Sequence, residues 1–144
     1  MKSEDILIEL NTLSKNTLME TLGIVFTDFT GDTLTAEMVV EPTVHQPMGF
    51  LHGGASLAMA ESVGSLLSIT SVDTKKYYVF GTQVTGYHIK AVRHGKIRAV
   101  ASFINKGKNT QVVEINLYNE TRDTTFKNGY ATMTNRIVAK KDFK

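Results

Sequence analysis

The chain has 144 residues, 42% of them hydrophobic and 21% charged, a balance too apolar for disorder and ordinary for one folded domain. Its net charge of +2 falls well short of the strongly basic face of a nucleic-acid binder. With no cysteine, disulfides and thiolate metal sites are excluded, which fits a reducing, cytoplasmic setting.

Taken in chain order, the opening MKSEDILIEL carries Glu4, Asp5 and Glu9 and no long apolar run, so it does not read as a secretion signal. Ile6, Leu10, Leu13 and Leu18 recur near helical spacing and predict a helical segment over 1–20 with a break near Ser14. From Leu22 the period falls to two. LGIVFTDFTGDTLTAEMVVEP reads as two strands joined at Gly31-Asp32, with Leu34, Ala36, Met38 and Val40 on one face of the second. The stretch holding Pro42 and Pro47 is a loop leading to His52.

Residues 53–72 contain no proline and are small or apolar on nearly every side, which predicts a long helix buried all round. A single charge, Glu61, sits near its middle. A carboxylate at a bilayer centre costs about 2.5–3.5 kcal/mol on insertion scales, so the segment is expected inside protein, not lipid. Four strands then follow: YYVFGTQVTGYHIKAV, KIRAVASFIN, TQVVEINLYN and TTFKNGYATMTNRIVA. The short connections predict an antiparallel meander. Strands on both sides of one buried helix give an α+β domain spanning 1–144, a six-stranded antiparallel sheet wrapped around a central helix. Asn119-Glu120-Thr121 fits a glycosylation sequon, which carries little weight without an export signal.

The chemistry concentrates in QPMGFLHGGASLAMAESVGS, residues 46–65. The first backbone N–H groups of a helix have no internal partner, and the helix dipole makes that end partly positive. Gly53 and Gly54 allow another molecule close to those donors, as an oxyanion hole requires. Gln46 and His52 flank the tip. Glu61 lies eight residues beyond Gly53, about 12 Å along the axis, too far to serve the tip of its own helix. Two helices packed antiparallel across a two-fold axis would bring Glu61 of one copy to Gly53 of the other. Ser65, one turn on, shares the face of Glu61 and is placed to orient a water. On residue types alone, two readings of Glu61 stand side by side: a nucleophile or general base, or a structural partner for a lysine or arginine.

This segment resembles the signature of hotdog-fold acyl-CoA thioesterases. The nearest branch is that of the 4-hydroxybenzoyl-CoA and phenylacetyl-CoA thioesterases, including enzymes acting on 1,4-dihydroxy-2-naphthoyl-CoA. The resemblance runs from about Leu22 to the last strand. It implies that Gly53 donates its N–H to the thioester carbonyl with Gln46 and His52 assisting. It further implies that Glu61 of the opposite subunit is nucleophile or base, that Ser65 positions water, and that the chain is a homodimer or a homotetramer of paired dimers. Coenzyme A would lie along Gly81, along His88, Ile89, Lys90 and Ala91, and along the turn Asn105, Lys106, Gly107, Lys108, Asn109 and Thr110. No metal or redox cofactor is implied.

Read from the residues alone, Lys106-Gly107-Lys108 is a solvated hairpin turn. Lys90, Arg93, Lys96, Arg98, Lys106 and Lys108 together would make a basic surface suited to phosphates. His45 and His94 read as loop and turn residues. No spacing suggests zinc, no glycine-rich nucleotide loop occurs, and no Gly-x-Ser-x-Gly elbow is present. Besides thioester hydrolysis, a non-catalytic acyl-CoA sensor and a hydratase on the same fold remain to be weighed. The latter lacks a histidine within the central helix.

Overall fold

A computed structural model describes residues 1–144. Helix α1 (Ser3–Leu13) and the short α2 (Leu18–Thr21) precede strands β1 (Val25–Phe29) and β2 (Thr33–Val39). Helix α3 (Gly53–Thr70) follows, then β3 (Tyr77–His88), β4 (Lys96–Lys106), β5 (Thr110–Glu120) and β6 (Thr125–Ala139). The N-terminal helix breaks near Ser14, as its sequence predicts, where Asn16 adopts φ 61°. The central helix stops at Thr70, short of residue 72.

One six-stranded sheet has the order β1-β2-β4-β5-β6-β3, and every pair is antiparallel. This is the hotdog arrangement. It corrects the expected four-strand meander: β4, β5 and β6 form one, but β3 pairs with β6 and β4 pairs with β2. The cause lies in residues 89–95, which form no hairpin. Ile89 and Lys90 N–H donate to Asn128 O at 2.9 and 3.2 Å, Leu51 N–H donates to Val92 O at 2.8 Å, and Val40 N–H donates to Gly95 O at 2.9 Å. The segment therefore crosses from the β6 side to the end of β2, past the start of α3.

Alternation in the strands decides which face meets the helix. Ile97, Ala99 and Ala101 of β4 and Val113, Ile115 and Leu117 of β5 are buried, while Lys96, Arg98 and Glu114 between them are not. Met59, Ala60, Val63, Leu66 and Leu67 of α3 pack onto that face. Gly64 allows a close approach: a Cβ there would stand 3.0 Å from Met133 Sδ and 3.2 Å from Ile115 Cδ1. A mid-helix glycine costs roughly 1 kcal/mol of helix propensity, which the tight seating of helix on sheet offsets.

The helix is not buried all round. Gly54 and Glu61 are exposed, and Ala58, Ser62 and Ser65 are half-buried on the same side. The small side chains that suggested a fully enclosed helix leave one face open in the single chain. No helix of the chain is long and apolar enough to cross a membrane.

Strand β3 runs antiparallel along α3, and glycines set its distance. A Cβ on Gly86 would fall 2.7 Å from Leu57 Cδ1, and one on Gly81 would fall 2.5 Å from Met133 Cε, with Glu61 Oε1 alongside at 3.6 Å. At the end of the strand His88 comes over the helix tip.

Candidate active site

The tip of α3 is built by capping. His52 Nδ1 accepts from Gly54 N–H at 2.8 Å, and the His52 carbonyl accepts from Ala55 and Ser56 N–H at 3.0 and 3.2 Å. Of the first-turn donors, Gly53 N–H alone remains without a partner in the chain. The His88 imidazole stands over it: a Cβ on Gly53 would lie 2.8 Å from His88 Nε2, so only glycine fits under the ring.

Gln46 sits in the turn before the helix. Its Oε1 accepts from Met48 N–H, and its backbone N–H donates to Phe50 O at 2.8 Å. The side chain's oxygen is thus engaged and its two Nε2 hydrogens are free to donate. Gln46, Gly53, His88, Ile89, Lys90 and Ala91, all singled out in the sequence, line one cleft of ≈ 470 Å³ at the helix tip. Met48, Phe50, Leu51, Val92, Ser56 and Asn128 complete its walls, and no carboxylate is among them.

The remaining candidates fall elsewhere in the chain. His52 turns away from the cleft, with its ring engaged on Gly54, and lines a neighbouring groove with His45 and Ala58. Glu61 and Gly81 form a second group further along the helix. Ser65, expected beside the carboxylate, makes its side-chain contact with Met133 instead, Oγ donating to Sδ at 3.8 Å. Asn105 through Thr110 turn at the far end of α3, where Lys106, Gly107 and Lys108 share a groove of ≈ 460 Å³ with Ser71, Asp73 and Tyr77. Within one chain, the two stretches expected to hold coenzyme A are separated by the helix length, about 27 Å at the usual rise.

Three of the six cations expected to form a basic surface already have acidic partners. Lys96 Nζ pairs with Glu37 at 2.9 Å and Glu120 at 3.9 Å, and Arg98 pairs with Glu120. The hydrogen bond from Lys96 to Glu37 raises the lysine's pKa above its ordinary value. Lys106 lies 3.9 Å from Asp32, while Lys90 and Arg93 stack over Phe126 and Phe50. Glu61 enters none of the chain's ion pairs, which removes the structural-partner reading within the single chain.

Sequence reasoning missed the asparagines. Asn135 is fully buried and donates through Nδ2 to Gly64 O at 3.2 Å and Ser68 Oγ at 2.8 Å, pinning α3 beside Glu61. Its Oδ1 has no partner. Asn128 lies in the cleft wall. Alternation marks Asn135 only as inward-facing, and it places Asn128 on the opposite face. No group of three or more His, Asp or Glu side chains is placed to hold a metal ion.

A long helix seated on a single six-stranded antiparallel sheet, with one free amide at its tip, defines the chain as a hotdog-fold protein. The family model for the thioesterase superfamily matches residues 48–126, and the chain belongs to that superfamily, whose members hydrolyse thioesters. It is 42% identical over 112 residues to a proofreading thioesterase of Cronobacter sakazakii, covering 77% of this chain and 80% of that one. Among solved structures, a glutamine-to-alanine mutant of a thioesterase from Pseudomonas aeruginosa superposes with TM-score 0.86 at 40% identity, over 92% of this chain and 94% of that one. A thioesterase from Haemophilus influenzae gives the same TM-score, 0.86, at 34% identity over 92% and 90%.

Proposed function

We propose that the protein hydrolyses an acyl- or aroyl-CoA thioester to the free acid and coenzyme A, at a site shared by two copies of the chain. One observation carries this reading. The cleft at the helix tip has a free amide and no carboxylate, whereas the unpaired Glu61 stands about 12 Å down the same helix. A second copy packed antiparallel on the open face of α3 supplies its Glu61 to the cleft. The same packing brings its Lys106–Lys108 turn toward the exposed Lys90.

In this scheme the thioester carbonyl accepts from Gly53 N–H and Gln46 Nε2. Water adds to the carbonyl carbon while Glu61 takes its proton; alternatively Glu61 itself attacks and water releases the mixed anhydride. The oxygen of the tetrahedral intermediate carries the developing charge, which the helix-tip amide stabilises. Collapse breaks the carbon–sulfur bond, and the thiolate leaves with the proton as coenzyme A. Gly81 lies beside the carboxylate, Ser65 one turn further along the helix positions the water, and neither a metal nor a redox cofactor enters. A purely binding role accounts less well for Glu61, because an unpaired acid beside a polyanionic ligand opposes binding.

Thiol release from benzoyl-CoA and a series of fatty acyl-CoAs tests the proposal. Glu61→Gln should lower turnover by ~10² or more while coenzyme A still binds. Turnover unchanged in that variant would remove Glu61 from the chemistry.

A further inference from the structure

The pairing of β5 with β6 slips at one point. Leu117 faces Gly129 and Tyr118 faces Lys127, so Asn128 has no residue opposite it. A bulge of this kind re-aims a side chain. Asn128 and Gly129 are consecutive and both buried, where regular alternation would expose one of them. Asn128 is 4% exposed, its Oδ1 is shielded and unpartnered, and the residue lines the helix-tip cleft with Gly53 and His88. Its main-chain carbonyl holds Ile89 and Lys90 N–H at 2.9 and 3.2 Å, so its place beside the cleft is fixed. A buried carboxamide oxygen without a donor is an exception in folded proteins, and here it points to a ligand.

The position indicates which part of the ligand. Gly53 and Gln46 serve the thioester carbonyl. Ile89 is 57% exposed and Lys90 is exposed beside it, which marks the side by which a long anionic arm leaves the cleft. Along the arm of an acyl-CoA, the first polar group past the sulfur is a secondary amide. We propose that this thioester-proximal amide donates its N–H to Asn128 Oδ1, and that Asn128 thereby selects thioesters whose thiol arm carries an amide. Rotation of the carboxamide about χ2, a broad and roughly two-fold torsion, brings the oxygen to the cleft. The inference rests on the hydrolysis proposed above and extends it from the acyl carbonyl to the arm.

Two esters of one acid separate the possibilities: an S-acyl-N-acetylcysteamine, which has the amide, and an S-acyl-butanethiol, which lacks it. The wild type should favour the first in kcat/KM by about tenfold or more, the worth of one well-made buried hydrogen bond. Asn128→Ala should bring the ratio close to one by losing activity on the amide ester alone. A merely structural asparagine would depress both esters together and leave the ratio intact. Asn128→Leu, which keeps the volume, answers the same question should the alanine variant fail to fold. A wild-type ratio near one, or a variant that retains the wild-type ratio, overturns the assignment. Absence of hydrolysis of any thioester by the wild type, acyl-CoA included, would instead overturn the proposed function.

Discussion

His52 turns its imidazole back on its own helix. With Nδ1 accepting from Gly54, the neutral ring carries its hydrogen on Nε2, and the second glycine's amide is withdrawn from any ligand. The donor count at the tip is thereby reduced to Gly53. From the sequence, His-Gly-Gly marks the tip correctly, but which donor stays free depends on a side-chain torsion that letters do not encode. Glu61 shows the same limit: its isolation among apolar neighbours is legible, its exposure in the single chain is not. Asn119 is a simpler case. Its sequon is buried, with Nδ2 donating to His94 O and Lys96 O at 3.0 and 3.3 Å, so it is no glycan acceptor. Tyr130 gives a pH prediction at this scale. Its hydroxyl donates to Glu114 Oε2 at 2.9 Å. That bond, then burial, then the carboxylate's charge raise its pKa above the ordinary 10.0. A folded-state value above the unfolded one favours folding fully below the unfolded pKa and loses that contribution as pH rises through the folded one. Thermal melts from neutral pH to above 10 should show an alkaline decline in Tm that is shallower in Tyr130→Phe. Identical slopes in the two proteins would contradict the linkage.

At the level of elements, β3 and α3 are matched along their lengths by missing side chains. Gly86 receives Leu57, Gly81 makes room for Met133 with the Glu61 carboxylate alongside, and His88 covers Gly53. A methyl group at Gly86 meets the end of Leu57, an overpacking that typically costs about 1–3 kcal/mol. Gly86→Ala should therefore lower the melting temperature, and its penalty should shrink in a Leu57→Ala background. Additive penalties in the double-mutant cycle would mean that the two positions do not touch. Period and turn residues were enough to find every strand, the turn at Gly31-Asp32 and the helix from Gly53. They were not enough to pair the strands. Alternation reports which face of a strand is apolar and says nothing of its neighbour, so a chain reading Arg93-His94-Gly95 expects a hairpin. The crossing is held instead by hydrogen bonds from Leu51 and Val40, residues distant in sequence. That crossing also walls the cleft: Ile89, Lys90 and Ala91 are singled out through the family resemblance, whereas Val92 beside them is not. The Asn128 bulge was hidden for a related reason, since its register appears only once β5 lies alongside.

For the molecule as a whole, the open face of α3 and the proposed division of the site argue for assembly in pairs. Mixed dimers test this directly. Glu61→Gln and Gly53→Val should each be inactive alone, the valine because its side chain runs into His88. Co-expressed, half the dimers pair one of each, and one of their two sites is intact. Activity should return to about a quarter of wild type. No recovery, with mixed dimers present, would show that each chain carries its own complete site. Melting temperature should also rise with protein concentration, since pairing favours the folded chain.

The two margins of the sheet are guarded unequally. Asn11 clasps β1, accepting from Phe26 N–H and donating to Phe26 O, each at 2.9 Å. The outer margin of β3 has no such clasp, and across its 12 residues, Tyr77 to His88, there is no lysine, arginine, aspartate or glutamate. An uncharged ribbon of that length recruits whichever extended segment reaches it first. A newly made chain thus carries an open edge prone to stray pairing, and crowded, rapid synthesis in a heterologous host should yield inclusion bodies in which this ribbon is the sticky element.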